Sequence, residues 1–156
     1  MYRLSTPLAM ATALFFCANG AIASPLLTVT LGDETREYDI PALQELGAVE
    51  MATTTIWTEG VQKFTGVPLA SVLNDAGITE GSVTATAINE YSIDIPVSEI
   101  TEEYPIIAFH LDGEPMSVRD KGPFWIVYPF DAAPEWRSEV NFSRSIWQLD
   151  RLQPSD

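Results

Sequence analysis

The chain has 156 residues and a formal net charge of −14 at neutral pH, from 8 basic and 22 acidic side chains. This acidity argues against nucleic acid and against an anionic membrane surface as partners. The length suits one domain that buries most of its apolar surface.

The first residues have the pattern of a secretory signal peptide. A positive charge at Arg3 precedes an apolar run from Leu8 to Ala18. A cleavage signal of two small residues separated by one other residue follows at Ala21 and Ala23. A retained membrane anchor needs around 18 or more apolar residues, which this run does not reach. We therefore expect residues 1–23 to be removed and residues 24–156 to form a single periplasmic domain that is not embedded in a membrane.

The only cysteine, Cys17, lies in the predicted signal peptide. The mature chain would therefore have no thiol, no disulfide and no cysteine metal ligand. Its apolar core must then hold it together.

The first elements in chain order are a hairpin and a short helix. Apolar residues alternate from Leu27 to Leu31 before the turn dipeptide Gly32-Asp33, which predicts a hairpin. Pro41 is suited to a first helical position, and Gly47 is suited to the end of a helix.

A strand, a loop and a second helix are predicted next. The β-branched stretch from Val49 to Trp57 favours a strand, and a polar loop follows at residues 58–63. The segment from Pro68 to Gly77 has apolar residues at i, i+3, i+4 and i+7 between a proline and a glycine, which predicts a helix.

The second half of the chain is mostly strand. Alternating runs at Val83–Ile88 and Tyr91–Ile95 predict a hairpin, and Asp112-Gly113 predicts the turn of another. The remaining segments are a strand at 124–129, an irregular stretch at 130–143 and a last strand at 145–152. The fold class expected is α+β, mostly β-sheet, with two or three short helices.

Positive charge is scarce and gathers late in the chain. Arg119 and Lys121 precede an apolar strand, and Arg144 precedes the last strand. Guanidinium and ammonium groups there would make a local anion site in a negative chain. The alternative is a set of surface ion pairs, which would join Arg119, Lys121 and Arg137 to Asp120, Asp131 and Glu135.

His110 is the only histidine, and it lies in an apolar run. One histidine without cysteine does not make a usual zinc site. It is either a lone acid or base, or a strand histidine whose ring nitrogens are satisfied locally. The chain has no Gly-x-Ser-x-Gly, Gly-x-Gly-x-x-Gly, Walker or His-Glu-x-x-His motif.

Several aromatic residues stand at predicted strand ends or beside the basic positions. Most should belong to the core, while a few could line a cleft that holds a flat anionic ligand by stacking and charge. They are Trp57, Tyr91, Phe124, Trp125, Tyr128, Trp136, Phe142 and Trp147.

Four sequence blocks in this order resemble the oxidoreductase molybdopterin-binding domain, which has the sulfite oxidase-like fold. The blocks are "TTTIWTEGVQKFTGVPLASVLNDAG", "ATAINEYSIDIPVSE", "VRDKGPFWIVYP" and "SRSIWQLDRL". The similarity covers Leu27 to Leu152 and is closest to small, exported, single-domain members. It implies the sulfite oxidase-like fold and, in catalytic members, oxidoreductase activity with molybdopterin.

In the catalytic members a cysteine ligates molybdenum, and the resemblance places that position within Ala52 to Thr55. Alanine and threonine stand there instead, and a hydroxyl is a poor substitute for a soft thiolate. The leader also has a single arginine, whereas exported proteins of this class that carry the cofactor normally have a twin-arginine signal.

We therefore expect a domain without a metal site, which binds a small anion or a protein partner such as a membrane sensor or redox protein. A genuine molybdopterin-dependent oxidoreductase is the alternative that the resemblance implies. The candidate cofactor- or anion-binding residues are Thr53, Thr54, Thr55, Trp57, Asn89, Tyr91, His110, Arg119, Lys121, Tyr128 and Arg144.

Overall fold

The computed structural model describes residues 23–155. The predicted signal peptide, apart from its last residue, and Cys17 lie outside the described residues. Across the described part of the chain, no helix is long and apolar enough to cross a membrane.

Within residues 23–155 the chain forms ten β-strands, three α-helices and three 3₁₀ turns. The strands are β1 (Leu27–Leu31), β2 (Glu34–Tyr38), β3 (Val49–Thr53), β4 (Gln62–Pro68), β5 (Ser82–Ala87), β6 (Ser92–Pro96), β7 (Ile106–Leu111), β8 (Glu114–Pro115), β9 (Trp125–Val127) and β10 (Leu149–Pro154). The helices are α1 (Ile40–Glu45), α2 (Leu69–Ala76) and α3 (Glu139–Arg144). The 3₁₀ turns are Val97–Glu99, Val118–Asp120 and Pro134–Trp136.

The strands form two sheets. One has the order β2-β1-β10-β5-β6, in which β1 runs parallel to β10 and the other pairs are antiparallel. The other has the order β3-β4-β7-β8, and β9 pairs with β7 as well. The predicted α+β class, mostly sheet with short helices, is confirmed.

The local turn and helix signals are also confirmed. The hairpins β1-β2 and β5-β6 form where they were expected, and β7 and β8 meet at Asp112-Gly113. The helix after Pro68 is α2, whose apolar face is buried and whose end is the left-handed Gly77, with φ 86°.

Two boundaries in the first half differ from the prediction. The strand expected to reach Trp57 ends at Thr53, because the chain turns where the Trp57 N–H donates to the Thr55 hydroxyl at 3.1 Å. The strand β4 was missed altogether: its residues had been assigned to the polar loop and the approach to the helix. Gly66 and Pro68 lower the strand propensity of β4.

Two boundaries in the second half also differ. The stretch expected to be irregular contains α3, which is capped by a hydrogen bond from the Asn141 N–H to the Ser138 hydroxyl at 3.2 Å. The last strand begins at Leu149 rather than Ser145. The preceding residues pair elsewhere, since the Ile126 N–H donates to the Ile146 carbonyl at 2.9 Å.

The buried apolar side chains form one cluster to which both sheets contribute. Trp125 of β9 is fully buried, and its indole Nε1 donates to the Ser145 carbonyl at 3.1 Å. A buried indole N–H needs such a partner. The bond attaches the segment before β10 to the sheet that contains β9.

Gly66 marks a point where β4 and β7 approach closely. A Cβ atom at this position would lie 2.3 Å from the Ile107 carbonyl oxygen, a backbone atom that has no freedom to swing away. The pairing register also shifts between Thr65 and Gly66. Only glycine fits this contact without moving a strand.

We expect Gly66→Ala to lower the free energy of unfolding by about 2–4 kcal/mol, because one of the two central strands must shift. Urea denaturation followed by tryptophan fluorescence measures the change. Thr65→Ala, which shortens a half-buried side chain on the same strand, is the control and should have a smaller effect. Equal stability of Gly66→Ala and wild type would contradict the close approach.

Candidate functional site

An aromatic cleft of about 320 Å³ opens beside Trp57. Its walls come from the β5-β6 turn, from α3 and from the segment before β10. The lining residues are Trp57, Ala87, Asn89, Tyr91, Phe142, Ser143, Ser145, Ile146 and Trp147. Aromatic and apolar surface with a few hydroxyl and amide groups is typical of a small-molecule site.

A cationic cleft of about 350 Å³ adjoins the aromatic cleft. It is lined by Trp57, Arg119, Lys121, Trp147 and Gln148. Because Trp57 and Trp147 line both clefts, a ligand can contact the aromatic surfaces and the two positive charges at once.

Trp57 is the wall that the two clefts share. Its ring lies 5.5 Å from that of Trp147, 6.0 Å from that of Trp125 and 6.0 Å from that of Phe142, in each case edge to face. This arrangement is the favourable one for aromatic pairs. Trp57 is therefore held in position by packing before any ligand arrives.

Lys121 is placed by the loop before β9. Its Nζ lies 5.7 Å from the ring centre of Trp125 and 5.9 Å from that of Trp147, within the range of cation–π attraction. Its backbone is left-handed, with φ 71°, and its carbonyl accepts from the Gln148 N–H at 2.9 Å. At Gly122 a Cβ would lie 2.0 Å from the Met116 carbonyl oxygen, so the loop has no room for a side chain there.

The two cations of the cationic cleft differ from the other basic residues. In the part of the chain that the structure describes, neither Arg119 nor Lys121 forms an ion pair, and Asp120 instead accepts from the Ser117 hydroxyl at 2.6 Å. The ion-paired residues are Arg36 with Asp75, Lys63 with Glu50, Arg137 with Asp131, Arg144 with Glu99, and Arg151 with Glu90 and Asp150. The ion-pair interpretation is thus confirmed for Arg137 with Asp131 and is wrong for Arg119 and Lys121.

Asp131 fastens the loop that carries Trp57. Its carboxylate accepts from the Thr54 N–H and the Thr54 hydroxyl, both at 2.6 Å, and from Arg137 Nη1 at 2.8 Å. Its own N–H donates to the Thr53 hydroxyl at 3.2 Å. We call this set of contacts the Asp131 latch. It joins the loop after β3 to the segment that leads to α3.

The pKa of Asp131 is lowered, chiefly by its two hydrogen bonds from Thr54; desolvation opposes this effect, and the positive charge and hydrogen bond of Arg137 add to it. Hydrogen bonds to a carboxylate stabilise its charged form. The latch therefore depends on ionised Asp131.

Five of the candidate residues line the clefts: Trp57, Asn89, Tyr91, Arg119 and Lys121. The three threonines precede Trp57 in the chain and do not line the clefts. Thr53 and Thr54 belong to the Asp131 latch. Thr55 is buried and its hydroxyl shares a hydrogen bond with that of Thr58 at 2.8 Å.

Like the threonines, the remaining three candidate residues line neither of these two clefts. Arg144 is 13% exposed and pairs with Glu99 at 2.5 Å, so its charge is already balanced. Tyr128 is buried, and burial raises its pKa to about 12, although the positive charge of Arg144 opposes this effect. His110 is half-buried on β7 and is paired in register with Thr65 and Pro115.

Other lining residues were not among the candidates. Trp147 and Phe142 had a sequence signal, since each is an aromatic residue near a basic position. Ser143, Ser145, Ile146 and Gln148 had none, because their place in the wall depends on how the segment before β10 is held.

Comparisons with known proteins agree with this fold. The model of the oxidoreductase molybdopterin-binding domain matches residues 33–137, more than half of the chain. The crystal structure of the sulfane dehydrogenase SoxCD from Paracoccus pantotrophus superimposes with a TM-score of 0.59 at 16% identity, over 83% of this chain and 37% of that chain. The present chain thus spans little more than a third of that relative. No curated protein sequence matches significantly.

The chain belongs to the oxidoreductase molybdopterin-binding domain family. It shares the sulfite oxidase-like fold of SoxCD.

The family implies a molybdenum cofactor, and the side chains of Ala52 to Thr55, where the sequence resemblance places the metal ligand, do not fit the metal. Within Ala52 to Thr55 the described side chains offer hydroxyls only, and the N–H and hydroxyl of Thr54 are both given to Asp131. Among residues 23–155 there is no group of three or more histidine, cysteine, aspartate or glutamate side chains that could hold a metal ion. A soft thiolate is the ligand that this position lacks.

The Asp131 latch gives a pH dependence with a definite sign. A carboxylate whose folded-state pKa is lowered stabilises the fold fully above its unfolded value, and this contribution is lost as the pH falls through the folded-state pKa. We expect Asp131→Asn to be less stable than wild type at pH 7. The difference should stay constant down to about pH 5 and shrink below the ordinary carboxyl value of 3.8.

Urea denaturation of both proteins between pH 7 and pH 2 measures this difference. Glu80→Gln, which removes a carboxylate from an exposed turn, is the control for a loss of charge alone. A difference between wild type and Asp131→Asn that is absent at pH 7, or that persists unchanged at pH 2, would contradict the latch.

Proposed function

We propose that this protein is an exported, periplasmic domain that binds a small, flat, anionic ligand in the two adjoining clefts and serves a sensory or accessory role without molybdenum redox chemistry. The observation that supports it best is the pair of cations without an ion-pair partner in the described chain, Arg119 and Lys121, at the wall of an aromatic cleft.

The charge distribution favours an anion at this place. The chain as a whole is strongly acidic, and two neighbouring cations that no carboxylate of the described chain neutralises give it a local attraction for an anion. A guanidinium fork and an ammonium group bind oxyanions of planar or tetrahedral shape. Arg119 is exposed and Lys121 is half-buried, so both can reach a ligand in the cationic cleft.

The aromatic cleft favours a ligand with a flat apolar part. Trp57, Tyr91 and Trp147 offer ring surfaces, and Asn89 and Ser143 offer an amide and a hydroxyl for hydrogen bonds. Rings that are already packed lose little freedom when a ligand stacks on them. A flat body in this cleft would bring its anionic end towards Lys121.

The sequence supports the export part of the proposal. The signal-peptide pattern supports delivery through the general secretory route, and the single arginine of the leader argues against export of a cofactor-loaded fold. In this role the domain would report ligand binding to a membrane sensor or redox protein.

The family assignment favours one alternative, a genuine molybdopterin-dependent oxidoreductase. It requires the metal to be held without a protein thiolate. It predicts molybdenum in native preparations and reduction of an electron-accepting dye.

The molybdenum and pterin content of protein purified from its native periplasm distinguishes the proposed function from the alternative. We expect molybdenum, and pterin fluorescence after oxidation, far below one equivalent per chain, because the donor atoms at Ala52 to Thr55 do not fit the metal. One equivalent of both would establish the oxidoreductase and exclude the present proposal. A periplasmic sulfite oxidase-like enzyme with its metal-ligating cysteine, prepared in parallel, is the positive control.

Ligand binding is tested with 1-anilinonaphthalene-8-sulfonate, a flat aromatic sulfonate whose fluorescence rises in apolar clefts. We expect Arg119→Glu to weaken its binding by about tenfold or more, since an attraction becomes a repulsion, while urea stability is retained. Lys63→Glu is the matched control: it makes the same charge change on the exposed β4 residue that pairs with Glu50. Equal affinity of Arg119→Glu and Lys63→Glu would refute the assignment of the site.

A further inference from the structure

Exposed apolar side chains lie in the walls of the two clefts and on the adjoining turn and loop. Ile88 is 46% exposed, Tyr91 51%, Val118 51% and Trp147 37%. We call these four residues the apolar rim. Exposed apolar side chains grouped beside a cleft are typical of an interaction site.

Gln148 holds the parts of the rim together. The Ile88 N–H donates to the Gln148 carbonyl at 2.9 Å, and Gln148 Nε2 donates to the Val118 carbonyl at 2.8 Å. The β5-β6 turn and the loop before β9 therefore meet at a residue that also lines the cationic cleft. The turn that carries Ile88 and the loop that carries Val118 are therefore joined through one residue.

A small ligand does not account for the whole rim. Tyr91 and Trp147 line the clefts, but Ile88 and Val118 do not. A ligand confined to the clefts would leave these two aliphatic side chains in water. Covering them requires a larger partner that extends beyond the cleft mouth.

Charge limits what that partner is. Arg119 and Lys121 lie beside the rim and attract an anion. The acidic chain as a whole repels nucleic acid, anionic lipid and a second copy of itself. A protein segment that carries a carboxylate meets the cations without bringing a large negative charge. Its apolar neighbours can cover Ile88 and Val118.

We propose that the apolar rim docks an acidic, apolar segment of a partner protein, whose carboxylate enters the cationic cleft while its flanking aliphatic or aromatic side chains pack on Ile88 and Val118. This docking rests on the proposed function insofar as both use Arg119 and Lys121. The segment and a small anion therefore compete for the cationic cleft. A turn and a loop that are already joined lower the cost of ordering on binding.

Selection from a display library of random peptides of about 12 residues tests the docking on the purified protein. We expect the enriched peptides to contain Asp or Glu between apolar residues. A synthetic peptide of this kind should bind, and its Asp→Asn or Glu→Gln version should bind about tenfold more weakly. Displacement of the peptide by 1-anilinonaphthalene-8-sulfonate should follow simple competition.

Variants separate the rim from the cleft. Ile88→Asn and Val118→Asn replace aliphatic surface with a polar amide and add no charge, so they should weaken the peptide about tenfold and change affinity for 1-anilinonaphthalene-8-sulfonate by less than about twofold, whereas Lys121→Glu should weaken both. Val49→Asn is the matched control, because Val49 is an exposed aliphatic residue of β3 outside the rim and 37% exposed. It should leave both affinities unchanged.

Four results would overturn the docking. They are no enrichment of acid-bearing peptides, equal peptide binding by the rim variants and Val49→Asn, a dimer of the protein that Ile88→Asn dissociates, and binding to anionic phospholipid vesicles that Val118→Asn abolishes, which would favour a lipid surface. If the sulfonate does not bind while the peptide behaves as expected, the small-ligand proposal fails and the docking stands. If the sulfonate binds and the peptide is insensitive to the rim, the docking alone fails.

Discussion

The attachment of residues 145–149 to β9 is the constraint on which the rest of the structure depends. The Ile126 N–H donates to the Ile146 carbonyl, the Leu149 N–H donates to the Phe124 carbonyl at 2.8 Å, and the buried indole of Trp125 donates to Ser145. Because β9 belongs to one sheet and β10 to the other, these bonds join the two sheets. They also bring Trp147 and Gln148 to the surface between the clefts. The same contacts that unite the fold therefore build the wall of its candidate site.

The other walls are loops that are fixed at both ends. The loop after β3 is fastened by the Asp131 latch, which connects it to the segment that carries Phe142 on the far side of Trp57. The loop before β9 is fastened by the close approach at Gly122 and by Gln148. In this chain an internal carboxylate fixes the loop that carries Trp57.

Sequence reasoning succeeded where the signal was local. The hairpin turns and α2 are specified by neighbouring residues. It failed where long-range contacts decide. Strand β4 forms because β3 and β7 flank it on both sides, which outweighs its glycine and proline. Arg144 had the same sequence signal as Arg119, yet only the fold shows that Glu99 neutralises it. The role of Gln148 comes from its backbone position, for which composition gives no sign.

The left-handed backbone of Lys121, with φ 71°, has an evolutionary consequence. A side chain in this conformation costs about 1–2 kcal/mol, which glycine avoids and asparagine partly avoids. A lysine at this position therefore costs stability that a glycine would not cost, and selection for heat resistance alone would favour its replacement. Selection for thermostability would thus favour glycine at this position, whereas selection for affinity for an anion would favour lysine. A directed-evolution experiment that rewarded only thermal tolerance would erase the charge while leaving the fold intact.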